Sequence, residues 1–122
     1  MSTILISINP KHVENILNGS KKYEYRKVSC KSDVDKLIIY STYPIMQIVA
    51  EVKVTRVLKD KPEVIWKTTK EYSGISKKFF DAYYKGKKEA VAFEIEDVII
   101  YEKTRTLADY GIKYPPQSFV YV

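Results

Sequence analysis

In Gly19-Ser20-Lys21-Lys22-Tyr23-Glu24-Tyr25-Arg26 a helix stop runs straight into a charged strand. Glycine tolerates the left-handed backbone that ends a helix. From Lys22 onward the residues alternate with a period of two, so Tyr23 and Tyr25 share one face and Lys22, Glu24 and Arg26 the other. Two readings of the charged face are open. In one, Glu24 and Arg26 form a same-face ion pair on an exposed strand, a contact worth little. In the other, the turn fixes Lys21 while the strand presents a carboxylate and a guanidinium to one ligand. The guanidinium would serve as a planar donor fork and the carboxylate as an acceptor for amine hydrogens.

Upstream, Thr3-Ile4-Leu5-Ile6-Ser7-Ile8 is short, apolar and β-branched, which predicts a buried strand. Asn9-Pro10 then opens a helix: Asn9 can cap the free amides, and Pro10 has the backbone angle of a first turn. Val13, Ile16 and Leu17 make one apolar stripe, which leaves His12 off it and predicts a solvated imidazole. Downstream, Leu37-Ile38-Ile39-Tyr40-Ser41 reads as a strand. Residues 46–58 read as a longer one, with Ile48, Ala50, Val52 and Val54 toward the core and Val49, Glu51, Lys53 and Thr55 away from it. A strand of that length argues for a curved, barrel-forming element.

Asp60 and Pro62 are expected to open a second helix running to about residue 70, with Trp66 in helix packing. Ser76 is expected to cap a third helix that buries Phe79, Phe80 and Tyr83 before Gly86 ends it. Residues 90–101 and 118–122 complete the strands. The order β-α-β-β-β-α-α-β-β lacks the regular alternation of a doubly wound sheet. It points to an α+β fold, a small mixed β-barrel with about six strands and three helices.

At 122 residues the chain fits a single domain, residues 1–122. No apolar run approaches the roughly 18 residues that cross a bilayer, and the amino terminus enters a strand-like segment without a basic region or cleavage site. The expectation is a soluble, cytoplasmic protein. One cysteine, Cys30, and one histidine, His12, leave no internal disulfide and no Cys/His set for a structural zinc or a histidine-based triad. The four glycines stand far apart, so there is no phosphate-binding glycine loop. No metal and no cofactor are expected. Net charge is +6, unevenly spread. Residues 21–31 carry a local excess of +4 and residues 67–88 one of +5, leaving the remainder acidic. A basic excess gathered in two segments suits a polyanion, and equally a solvated surface.

Gly19, Lys21, Glu24 and Arg26 stand in the Gly-x-Lys-x-x-Glu-x-Arg pattern of the ASCH domain, a branch of the PUA-like superfamily. The segment from Ile6-Ser7-Ile8-Asn9-Pro10 to Ile16-Leu17-Asn18, the later Tyr72-Ser73-Gly74-Ile75-Ser76 and the closing Pro115-Pro116-Gln117-Ser118-Phe119 are similar to the small stand-alone microbial members. The resemblance implies a PUA-like barrel with a cleft beside the first helix and a role in binding RNA or another nucleic acid.

On that reading Lys21 and Arg26 contact phosphate or carbonyl oxygens, and Glu24 orients Lys21 or accepts from a base amine. Ser41-Thr42-Tyr43-Pro44 follows a strand and either lines the cleft with hydroxyls or is an ordinary turn. Tyr25, Tyr43 or Phe119 can stack on a base, with Gln117 in the same closing segment as a further ligand contact. Lys77, Lys78, Lys85, Lys87 and Lys88 supply long-range attraction. Some ASCH proteins are amidohydrolases that deacetylate acetylated cytidine with a lysine, a threonine nucleophile and a glutamate. The resemblance carries the lysine to Lys21 and the glutamate to Glu71, while the threonine position holds Glu24 and Thr42 is a substitute hydroxyl. The binding reading is preferred, with the hydrolase as alternative and a protein-interaction module as a third possibility.

Overall fold

The computed structural model describes residues 1–27, 30 and 33–122. Lys31, counted in the first basic segment, lies outside the described residues. Among the described residues six strands form one sheet: β1 (Ser2–Ile8), β2 (Tyr23–Arg26), β3 (Val34–Ser41), β4 (Gln47–Asp60), β5 (Ala90–Arg105) and β6 (Phe119–Tyr121). Their order is β2-β5-β4-β3-β1-β6, antiparallel throughout except for the parallel β1–β3 pair. The same residues include three helices, α1 (Pro10–Leu17), α2 (Pro62–Thr69) and α3 (Lys77–Tyr83), with a 3-10 turn at Lys70–Tyr72 between α2 and α3 and another at Leu107–Tyr110 between β5 and β6. This is the expected α+β fold, a sheet curled into a half-barrel. Among the described residues no helix is long and apolar enough to cross a membrane.

β1 is buried on both faces. Ile4, Ile6 and Ile8 join Val13 and Ile16 of α1 in the main core, while Leu5 points to a smaller cluster with Ile38, Tyr40 and Ile48 on the other side. Ile48, Ala50, Val52 and Val54 of β4 are all buried, as their alternation predicts. α1 begins as read from its sequence, with Asn9 Oδ1 accepting from the Lys11 amide at 2.9 Å. The second helix begins differently. Asp60 is the last residue of β4, and α2 starts at Pro62 without a side-chain cap. β4 and β5 both run past their expected ends, because the two long strands support each other by pairing from Ile48–Arg105 to Asp60–Ala90.

The third helix corrects an expectation. Ser76 Oγ does accept from the Phe79 amide, at 3.1 Å. Phe79, however, is 48% exposed, whereas Phe80 and Tyr84 are buried. Successive helical residues are turned by about 100°, so Phe79 and Phe80 cannot both face the sheet. The pair four residues apart, Phe80 and Tyr84, does so, with ring centroids 4.8 Å apart. Trp66 of α2 packs on Phe80 at 4.9 Å, as assigned.

Candidate functional site

The turn after α1 sets Lys21. Gly19 takes φ +85°, its amide donates to Ile16 O, and the Lys21 amide returns to Asn15 O at 3.0 Å. The Lys22 amide then donates to Tyr72 O at 2.8 Å, which lays the 3-10 segment over the turn. Under that cover Lys21 is 2% exposed. Its Nζ donates to Ser73 O at 2.8 Å, stands 3.8 Å from Glu24 Oε1 and lies 4.8 Å from the centre of the Tyr25 ring. Burial pushes the ammonium below its ordinary pKa; Glu24 opposes that and Arg26 adds to it.

Gly74 closes on the same side chain. Its φ is +68°, and a Cβ there would stand 2.5 Å from Lys21 Cβ and 2.7 Å from Lys21 Cγ. Replacing Gly74 by alanine should therefore cost about 2–3 kcal/mol, combining left-handed strain with displacement of a buried lysine stem. Thermal denaturation checks this, and a loss below about 0.5 kcal/mol, as at ordinary surface sites, would show that the segment relaxes freely.

Glu24 and Arg26 are no surface pair. Glu24 is 5% exposed, and its Oε2 accepts from Arg26 Nε at 3.1 Å and Nη2 at 2.6 Å. The guanidinium also donates to Ser7 O of β1 at 2.7 Å and to Ser118 Oγ at 3.4 Å. Arg26 thus ties β2, at one end of the sheet, to β1 and the start of β6 at the other. The exposed-strand reading is overturned: the two side chains are nearly closed to solvent and held by Lys21, Ser7 and Ser118. On the opposite face of β2, Tyr25 meets Phe80 at 5.3 Å, and its hydroxyl hydrogen-bonds Thr69 Oγ1 at 2.7 Å. Burial holds the phenol up at about 12.

Above the three charged residues opens a cavity of about 920 Å³. Its floor is Lys21, Glu24 and Arg26, and its walls include His12 of α1, Glu71 of the 3-10 turn, and Phe79 and Tyr83 of α3. The Phe79 and Tyr83 rings are nearly parallel, at 10°, with centroids 6.5 Å apart, and His12 meets Phe79 at 5.4 Å, edge to face. Burial and the nearby Lys21, Lys11 and Arg26 hold the imidazole below its ordinary pKa, with Glu24 pulling the other way.

Of the residues singled out from sequence, Lys21, Glu24, Tyr25, Arg26 and Glu71 line this cavity together. Ser41, Thr42, Tyr43, Gln117 and Phe119 do not. The Thr42 amide donates to Ile8 O, which places it beside the cavity wall, and Tyr43 is 80% exposed. Phe119 pairs with Ile6 on β1 and packs against the main core. Lys77, Lys78, Lys85, Lys87 and Lys88 are exposed outside the cavity. Lys77 is paired with Asp81 at 2.7 Å and, with Lys87, borders a smaller hollow over Trp66 and Phe80. Sequence reasoning missed Phe79 and His12 as wall residues. For His12 the available signal was its place off the apolar stripe of α1, whereas the stripe reading of α3 put Phe79 in the core.

The ASCH domain model matches residues 6–107. The crystal structure of ASCH from Zymomonas mobilis superposes with a TM-score of 0.88 at 20% identity, over 98% of this chain and 87% of that one; this likeness is one of fold. Among curated proteins, ATP synthase subunit alpha of Ureaplasma parvum serovar 3 is 29% identical over 121 residues. Large ribosomal subunit protein uL22 of the same organism is 30% identical over 121 residues. The chain spans only 15% and 39% of those two longer proteins, so what is shared with them is one segment. A family match over most of the chain, on top of a shared fold, has one consequence: this chain belongs to the ASCH domain family.

Proposed function

We propose that the cavity binds a nucleotide unit of single-stranded RNA. The observation that carries this is a floor of buried Lys21 and Glu24 with the largely enclosed Arg26, beneath walls that include an exposed phenylalanine ring. Lys21 has three donors and gives one to Ser73 O, so it keeps capacity for a phosphate or carbonyl oxygen. Glu24 is acceptor-only when ionised and can take a base amine hydrogen. Phe79, half-exposed beside Tyr83, offers a face for base stacking, which discriminates little among bases. The volume lies within the range of small-molecule sites, roughly 300–1,000 Å³. The exposed lysines around α3 extend positive charge beyond the cavity for a longer strand.

The test is fluorescence anisotropy with a labelled pool of random-sequence RNA hexamers at increasing salt. The affinity should fall with a log–log slope of about −0.7 for each phosphate contacted on a single strand. Salt-independent affinity, or none at low salt, would reject the reading.

Glu71 and Lys21 bordering the same cavity support a second reading, hydrolysis of an acylated nucleoside. It ranks below binding because the serine hydroxyls of the cavity serve the backbone: Ser7 donates to Pro116 O, Ser20 to Asn15 O and Ser73 to Ile75 O, while Ser76 Oγ accepts from the Phe79 amide as a helix cap. Thr42 lies outside the lining, and Glu24 is held by Arg26. Acetate released from acetylated cytidine over many turnovers, and lost in Lys21→Ala, would reverse the ranking.

A further inference from the structure

Among the described residues His12 Nδ1 is the buried side-chain nitrogen or oxygen that has no hydrogen-bond partner. Such a group is costly to keep, and an unsatisfied one in a folded protein calls for a reason. Its surroundings offer none within the protein. His12 sits in the first turn of α1, off the stripe of Val13 and Ile16, and its ring meets the exposed Phe79 edge to face at the cavity wall.

We infer that His12 is a specificity-determining residue of the cavity, placed to hydrogen-bond the ribose hydroxyl of the bound nucleotide and so to favour RNA over DNA. This rests on the reading of the cavity as a nucleotide site.

The chemistry selects the partner. With its pKa held down, the imidazole is neutral at pH 7 and carries one donor nitrogen and one acceptor nitrogen. Phosphate oxygens accept only, and the cavity already has Lys21 and Arg26 for them. Base amines and carbonyls have Glu24 and the same two cations. A hydroxyl both donates and accepts without charge, as a neutral imidazole does, and the 2′-hydroxyl is what separates RNA from DNA at a site. A base stacked on Phe79 carries its sugar alongside the ring that Phe79 touches. Nδ1 is closed to solvent in this structure, so reaching the ligand requires the ring to turn about its χ2 beside the half-exposed Phe79.

The experiment measures anisotropy for matched random RNA and DNA hexamer pools with the unaltered protein and with His12→Phe, His12→Asn and Phe79→Ala, together with their melting temperatures. The unaltered protein should bind RNA about tenfold more tightly than DNA, the range set by a site hydrogen bond left unmade. His12→Phe should bring RNA affinity down toward the DNA value, weaken DNA binding far less and leave the melting temperature no lower, since it removes an unsatisfied polar atom. His12→Asn restores a hydrogen-bonding group near Nδ1 and should recover part of the preference, which also serves if the phenylalanine variant folds poorly. Equal RNA and DNA affinity in the unaltered protein, or an equal loss for both pools in His12→Phe, overturns the inference while leaving the cavity reading in place. Unchanged affinity for both pools in Phe79→Ala, or no binding by the unaltered protein, overturns the cavity reading and this inference with it.

Discussion

Arg26→Ala should destabilise the protein by about 3–5 kcal/mol, the range for breaking a buried ion pair from one side. An exposed pair would be worth about 0–1 kcal/mol, and burial decides between the two. The side chains of Arg26 and Glu24 are 11% and 7% exposed. Removing the guanidinium takes away both hydrogen bonds to Glu24 Oε2 and leaves that carboxylate with Lys21, 3.8 Å away, as its ionic partner. The same deletion unties β2 from Ser7 O of β1, so the cost falls on the closure of the half-barrel as well as on the charge. Urea denaturation measures it as a shifted midpoint. Arg26→Lys keeps the charge but loses the fork that grips Glu24 and Ser7 together, and should cost about half as much. A loss below about 1 kcal/mol in Arg26→Ala would mean that water reaches Glu24 and that the pair behaves as a surface contact.

The same pair marks how far sequence reading went. Period-two alternation assigned Glu24 and Arg26 to one face of β2, and that assignment holds. Alternation says which residues share a face and nothing about what covers it. Here the partners are distant in sequence: Ser73 O takes Lys21 Nζ, and Ser7 O and Ser118 Oγ take the Arg26 guanidinium. Strands and helices were legible where local chemistry suffices, as at Asn9-Pro10 and Ser76, whose side chains make the expected caps. Asp60 misled because its oxygen bonds the adjacent Lys61 amide while its backbone stays in β4. Thr42 and Tyr43 illustrate the limit at a site. Parallel pairing of Ile8 with Ser41 brings that loop beside the cavity, but the step from beside it to within it depends on register and side-chain direction, which composition does not encode.

Phe80→Ala and Phe79→Ala should have opposite consequences although the residues are neighbours. Phe80 is 1% exposed and lies among Tyr25, Trp66 and Tyr84, with ring centroids 5.3, 4.9 and 4.8 Å away. It joins α2 and α3 to β2 and β5 in the second core cluster, next to the buried Ile65, Ala90 and Ala92. Truncation to alanine opens a cavity between two helices and a sheet that cannot collapse together, which costs about 3–5 kcal/mol. Phe79 is 48% exposed, with one side toward His12 and the other toward the cavity, so its truncation should cost under about 1 kcal/mol. Affinity should follow the reverse order. Loss of the Phe79 ring removes a stacking face worth about 1–3 kcal/mol per base, while Phe80 does not line the cavity. Chemical denaturation of both variants, followed by RNA hexamer titration under conditions where each is fully folded, separates the two roles. If Phe79→Ala proved as destabilising as Phe80→Ala, α3 would be rotated about its axis relative to the sheet. The aromatic wall assigned to the cavity would then belong to the core.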